Sequence, residues 1–282
     1  MNIVSWNIRG LNKVYKQREI KQYLRDNKVV LIAIIEHKVK QPMAEKTIQK
    51  ISRNWKWTDN YVASNRGRIW ILWDPGVLDF AIHSCSEQLI TGKIIIHQSH
   101  KEFWMTVVYG LHTIEHIKAM WEELEQLHNE LQGPWIAMRD YNAIQSFEDR
   151  YNGNPDMEVE TRDFSDFLEN TGMTELKTVG REFMWTNNHV YSRIDRALVN
   201  ARWMMNMTQL KVVLQDSLFS DHTPVCVYFE HDHQPMPKPF KFFNNLAEHK
   251  EFQRLVKDTW EVSMLRPTMQ RIWMRLKRLK KD

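Results

Sequence analysis

The sequence predicts an α/β (α+β) fold of stacked β-sheets with helices outside them. Three observations lead there. Short β-branched or aromatic runs alternate with amphipathic stretches through the first 230 residues. From Ile69 to Tyr109 such runs follow one another with few helices between them, as in an antiparallel sheet. Polar residues able to do chemistry recur where the runs end, which is where such scaffolds gather sites.

Taken in order, Ile3–Trp6 and Val29–Ile35 read as buried strands around a helix near Lys16–Asp26. Strands follow at Ile69–Trp73, Val77–Ile82, Ile94–His97 and Phe103–Tyr109. A helix then begins at an N-cap, Thr113, with Ile114, Ile117, Trp121, Leu124 and Leu131 on one face. Gly133-Pro134 ends it and leads into the apolar run Trp135–Met138. A turn-rich loop, Asn152–Pro155, precedes a helix holding Phe164, Phe167 and Leu168. Later strands are expected near Phe183–Thr186, Arg193–Val199, Leu210–Leu214 and Pro224–Phe229. No internal repeat is visible.

At 43% hydrophobic and 26% charged, the 282 residues suit a globular chain. No run approaches the ~18 apolar residues a membrane span needs. The N-terminus enters a strand pattern directly, so neither a secretory leader nor secretion is expected. Cys85 and Cys226 are far apart and belong to no C-x-x-C pair. Both are expected as small buried hydrophobes in a reducing compartment.

The net charge of +4 is uneven. Residues 1–230 hold 27 Lys+Arg against 29 Asp+Glu, and residues 231–282 hold 12 against 6. The expected organisation is a catalytic domain over 1–230, a Pro-rich linker over 231–240 and a basic helical tail over 241–282. In that tail Met269, Ile272, Trp273, Leu276 and Leu279 would form an apolar stripe. Such a body and tail suit a polyanionic partner.

The polar residues at strand ends are Asn7, Glu36, Tyr109, Asp140 and Asn142, with Asp195 inside a strand and Asp221-His222 before the last one. Phosphodiester hydrolysis needs a divalent cation, an activated water, neutral donors to the phosphate and help for the leaving oxygen. Carboxylates and Asn supply hard oxygen ligands, and a His held by an Asp can manage a proton near neutral pH. Any one of these residues alone would more ordinarily be a turn former.

Their order is more specific. Trp6-Asn7-Ile8-Arg9-Gly10, Ile35-Glu36-His37-Lys38, Asp140-Tyr141-Asn142, Ser192-Arg193-Ile194-Asp195 and Ser220-Asp221-His222-Thr223-Pro224 follow one another along the chain. This series resembles the signature of the endonuclease/exonuclease/phosphatase family. Glu148–Pro155, Met184-Trp185-Thr186-Asn187 and His189–Asn200 are similar to the endonuclease region of plant LINE-type non-LTR retrotransposons. Lys238–Asn244 is similar to the link toward their reverse transcriptase, which is absent here.

The resemblance implies a four-layer sandwich, two packed and mainly antiparallel β-sheets flanked by helices. It implies a metal, Mg²⁺ or alternatively Mn²⁺, at Asn7, Glu36 and Asp221. Asp140 would act on the attacking water, Asn142 and Tyr109 on the phosphate, and His222 on the scissile phosphate, oriented by Asp195. Arg9 and Lys38 are expected to bind substrate, and Trp6 and Trp185 to lie where DNA could touch them. The implied reaction is nicking of DNA by a monomer in the nucleus, or otherwise in the cytoplasm.

One position departs from the pattern. The family usually has Gly before the Asp of this motif, and here Arg139 stands there. A non-Gly residue at positive φ costs ~1–2 kcal/mol. Two outcomes are open: Arg139 draws Asp140 from its water and weakens the enzyme, or it points outward and does nothing. Three other functions stay in view. A same-fold phosphatase or RNA nuclease would change the substrate, and an inactive nucleic-acid-binding remnant would keep only the binding. His112-Thr113-Ile114-Glu115-His116 matches the inverted zinc-peptidase motif, but an N-cap at Thr113 would leave His112 outside the helix.

Overall fold

The computed structural model describes residues 1–153, 158–180, 183–187, 189–207, 211–214, 218–229 and 252–261. Compactness divides the chain into Met1–His231 and Asp232–Asp282. In the second unit the described element is a helix, Phe252–Glu261. The Pro-rich linker and the apolar stripe expected beyond Met269 lie outside the described residues.

The first unit opens with β1 (Asn2–Asn7), α1 (Val14–Asp26), β2 (Val29–Ile35), α2 (Gln41–Ile51), β3 (Lys56–Asp59) and β4 (Ile69–Trp73). Then come β5 (Leu78–Cys85), β6 (Leu89–Ile96), β7 (Glu102–Tyr109), α3 (Ile114–Glu130), β8 (Trp135–Asp140), β9 (Arg150–Tyr151) and α4 (Glu158–Thr171). The remainder is β10 (Thr174–Glu175), β11 (Thr178–Gly180), β12 (Trp185–Thr186), β13 (Tyr191–Ser192), β14 (Asp195–Val199), α5 (Ala201–Asn206), β15 (Lys211–Leu214) and β16 (Val225–Tyr228).

One sheet runs β11-β15-β16-β1-β2-β4-β3, a second runs β10-β14-β8-β7-β6-β5, and β12-β13-β9 form a small third. Alternation of side chains along the strands produces the layers. Ile3, Leu31, Ala33, Ile69 and Val225 of the first sheet meet Phe80, Met105, Val107, Ile136 and Met138 of the second in the central core. On the outer face of the first sheet, Val4, Trp6, Ile32 and Ile34 pack on Ile20 and Leu24 of α1 and Ile48 of α2. Trp135, Ala137 and Val108 do the same for the second sheet against Trp121 and Leu124 of α3 and Phe164 of α4. This is the expected four-layer sandwich.

The sheets are mixed rather than simply antiparallel, because β1–β2, β7–β8 and β11–β15 pair in parallel. Each of the first two parallel pairs is joined through a helix, α1 or α3, which supplies the crossover that parallel neighbours require. Thr113 caps α3, its side chain accepting from the His116 amide, so His112 lies outside the helix and the two histidines do not share a helical face. The expectation for Cys85 fails: Cys226 is buried, but Cys85 is exposed. It ends β5, the edge strand of its sheet, opposite Ile90 of β6, and its exposure comes from that position at the strand end and sheet edge. No helix among the described residues is long and apolar enough to cross a membrane.

Candidate active site

Strand register brings the polar residues together. In the parallel pair β1–β2, Asn7 stands opposite Ile35, so Glu36 follows at the same end. In β7–β8, Tyr109 stands opposite Asp140, and β14 brings Asp195 opposite Asp140 from the other side. His222 precedes β16, the antiparallel neighbour of β1. These side chains therefore close one end of the central core.

The contacts form a continuous network. Asn7 Nδ2 donates to Asp140 Oδ2 at 2.9 Å and to Glu36 Oε1 at 3.2 Å. The Tyr109 hydroxyl donates to Glu36 Oε1 at 3.2 Å and accepts from Arg68 Nη1 at 2.8 Å. His222 Nδ1 is 2.9 Å from Asp195 Oδ2, while Nε2 is 3.9 Å from Asp140 Oδ2. That Nε2 is buried and has no hydrogen-bond partner. Burial of an unpaired nitrogen is costly, so a polar atom from a substrate or water would be stabilised in the gap beside Asp140.

The electrostatics follow from burial. Asp140 is pushed up to about 6 by desolvation and by the neighbouring Asp195 charge. Asp195 is buried too, but the Arg139 guanidinium and His222 outweigh desolvation and hold its carboxyl low. Desolvation of His222 is likewise outweighed, here by Asp195, and its pKa is raised. Glu36 is lowered despite desolvation, by the Asn7 bond and by Arg9 and Lys38. Two environments thus separate two neighbouring carboxyls, a common arrangement where proton transfer occurs.

The donor set fits a hard divalent cation. Asp140, Asp195 and His222 place one ligand atom each within 4.8 Å of one another and could hold a metal. Both oxygens of Asp195, however, already face positive donors, His222 at 2.9 Å and Arg139 at 3.4 Å. On the other side the carboxylate oxygens of Glu36 and Asp140 are the hard donors that suit Mg²⁺-like chemistry. Asn7 turns its Nδ2 to them and its Oδ1 accepts from the Arg9 amide at 3.2 Å, so a rotated Asn7 amide would be needed to add its oxygen. Asp221 is turned to Arg9, 2.9 Å away, and Lys38 lies 3.4 Å from Glu36 Oε2. Asn142 adopts a φ of 49°, donates its amide to Gly110 O, and its backbone N–H donates to Asp140 Oδ1 at 3.2 Å.

The Arg139 side chain points neither outward nor at Asp140. The residue does have positive φ, 120°, in the region that favours glycine. Alternation after Met138 would aim its side chain at the helices. Instead it turns into the core between the sheets, where Nη1 donates to Ser5 O and Thr223 O at 3.2 and 2.9 Å. It exposes no surface, and its ion pair is with Asp195, not Asp140. Trp6 also needs correction as a DNA contact: it is fully buried among Tyr23 and Phe219, and its Nε1 donates to His222 O at 3.0 Å. Trp185 is half-buried, its ring centroid 6.4 Å from that of His222.

Sequence reasoning missed Arg68 altogether. It precedes β4, and its carbonyl accepts from the Glu36 amide at 2.9 Å. Pairing of the two strands Val29–Ile35 and Ile69–Trp73, had it been proposed, would have put Arg68 beside Glu36. His37, inside one of the motifs, is a core residue stacked on Trp70, its pKa pushed by burial down to about 3.

A sandwich with an oxygen-rich acid cluster and a His–Asp pair at one end of its strands has the groups that hydrolysis of phosphate esters requires. Residues 4–222 match the Endonuclease/Exonuclease/phosphatase family, and the chain belongs to it. Members of that family, nucleases and phosphatases alike, hydrolyse phosphate ester bonds and typically depend on divalent metals. An AP endonuclease from Leishmania major superposes with a TM-score of 0.64 at 13% identity, covering 82% of this chain and 87% of its own. The endonuclease domain of TRAS1, a telomere-specific non-LTR retrotransposon, gives 0.61 at 14% identity, covering 80% and 96%. A mannosyl-6-phosphatase from Bacteroides thetaiotaomicron gives 0.53 at 12%, covering 81% and 98%. At these identities the likeness is one of fold. No curated protein sequence matches the chain.

Proposed function

We propose that the protein is a Mg²⁺-dependent phosphodiesterase that nicks DNA, as retrotransposon endonucleases do. The observation that carries this is the unpartnered His222 Nε2 beside Asp140, with Asp195 fixing the far side of the ring. A divalent cation held by Glu36, Asn7 and Asp140, with Asp221 at the rim, would polarise the phosphate and assist ionisation of water. Mn²⁺ would serve the same donors.

The chain's own groups then divide the work. Asp140, ionised, orients the attacking water and takes its proton. His222, held as an imidazolium by Asp195, donates to a non-bridging phosphate oxygen. Tyr109 and Asn142 position the phosphate, and Arg9 and Lys38, at the rim, steer the polyanion. DNA is favoured over a small phosphomonoester by the similarity of Glu148–Pro155 and His189–Asn200 to retrotransposon endonucleases and by the basic C-terminal segment. A monomer acting in the nucleus would suit that substrate.

Supercoiled plasmid with Mg²⁺ is the test. Open circles from the wild type, absent with Asp140→Ala and His222→Ala, are expected. Turnover of inositol phosphates or poly(A) but not plasmid would reassign the substrate, and plasmid binding without nicking under any divalent metal would reduce the protein to a binding remnant.

A further inference from the structure

A cavity of about 550 Å³ opens beside the site, lined by Ser64, Arg66, Arg68, Leu111, Thr113 and His116 among others. Arg68 is its wall toward the catalytic groups, bonded to the Tyr109 hydroxyl and lying over that ring at 5.2 Å. That bond uses one of the five N–H donors of the guanidinium. Its Nε is buried without a hydrogen-bond partner. Arg66 is exposed and forms no ion pair among the described residues. The acid in the lining, Glu87, accepts from the Ser64 hydroxyl at 3.1 Å. The start of α3 also lines the cavity at Thr113 and His116, where Thr113 already caps the His116 amide and Glu115 stands in the same turn.

We infer that this cavity is a subsite for a second phosphodiester of the same polynucleotide strand, adjacent to the scissile one and held by Arg68 and Arg66. Arg68 couples the subsite to the reaction centre, because the guanidinium that receives the flanking phosphate also fixes Tyr109. The volume suits a nucleotide-sized group. A small phosphomonoester cannot reach both places, so the cavity would select strands over single phosphate esters. The inference rests on the proposed phosphodiesterase reading and specifies its substrate class.

Anisotropy of a labelled 20-base-pair duplex in EDTA, from 25 to 200 mM KCl, measures phosphate contacts without turnover. Each lost contact lowers the slope of log K against log salt by about 0.9. Arg68→Gln is expected to weaken binding 3- to 10-fold at 100 mM and to lower the slope by that amount. Arg66→Gln, at an exposed side chain, keeps the test valid should Arg68→Gln misfold, and the same fall is expected. Lys46→Gln, on the outer helix α2, should leave the slope unchanged. An unchanged slope in both arginine variants, or an equal fall in Lys46→Gln, would overturn the inference. If the wild type hydrolyses bis(p-nitrophenyl) phosphate with Mg²⁺ but shows no salt-dependent duplex binding, the subsite falls and the hydrolase stands. If it does neither, both fall.

Discussion

Arg139 Nε lies 3.4 Å from Asp195 Oδ1, and neither side chain exposes any surface. A buried arginine thus sits behind the aspartate that orients His222, on backbone that favours glycine. Strained backbone of this kind costs about 1–3 kcal/mol and persists only where its surroundings hold it. Here the carbonyls of Ser5 and Thr223 and the Asp195 carboxylate do so, tying the two sheets together beneath the site.

Arg139 and Asp195 should therefore be energetically coupled. Asp195→Asn leaves a buried guanidinium without its counter-charge, a loss of about 3–5 kcal/mol for such pairs. Arg139→Met leaves the aspartate with His222 alone and should also destabilise. Denaturant melts of both variants and the double variant are expected to show at least about 1 kcal/mol of non-additivity, the double being less damaged than the sum. Additive losses would mean that the pair contributes nothing of its own.

Metal-free stability should fall as pH rises through the Asp140 titration. The folded pKa is about 6, raised by burial and Asp195, against about 4 for a free aspartate. Folding then binds a proton, so stability is fullest below pH 4 for this group and is lost as pH passes 6. Two pK units correspond to at most about 3 kcal/mol. Without metal, Asp140→Asn should melt above the wild type at pH 8, with the gap closing toward pH 4. A variant that melts lower at pH 8 would contradict this.

Activity should depend on pH in both directions. In the proposed reaction Asp140 is ionised, so kcat/KM should rise through an acid limb at or below about 6, with bound cation moving it lower. The proposed reaction uses protonated His222, and its raised pKa puts the alkaline limb above the ordinary imidazole value of about 6.5. Asp195→Asn should draw the alkaline limb downward and reduce the rate by about 10²-fold. An alkaline limb that stays in place would remove Asp195 from that role.

Trp6 supports His222 from the core rather than touching DNA. Trp6→Phe keeps most of the packing and removes one buried donor, an effect of about 1–3 kcal/mol on the loop before β16. A several-fold fall in kcat with little change in KM is expected. A rise in KM alone would return Trp6 to the substrate.

The layered fold was legible because strands such as Val29–Ile35 and helices such as α3 carry clear periodicities. The helix α2 was not, since Ala44, Thr47, Ile48 and Ile51 make only a weak stripe among Lys and Gln. The first half of β6 was hidden by Gly92, where a Cβ would lie 2.4 Å from the Phe80 ring. At the site, strand-end position singled out Asn7, Glu36, Tyr109 and Asp140 only as candidates. The order of the motifs, with the family resemblance it carries, was needed to raise them above turn formers and to pair His222 with Asp195. The direction of Arg139 was not legible, because it depends on a backbone angle that overrides alternation, and Arg68 depends on which strands pair.

The most direct measurement is the initial rate of plasmid nicking in Mg²⁺ by the wild type and by Asp140→Ala, purified in parallel. Loss of the water-activating carboxylate should lower the rate by about 10²–10⁴-fold while salt-dependent DNA binding persists. Equal rates from the two proteins would contradict the account, because the cleavage would then not come from the site built around Asp140 and His222.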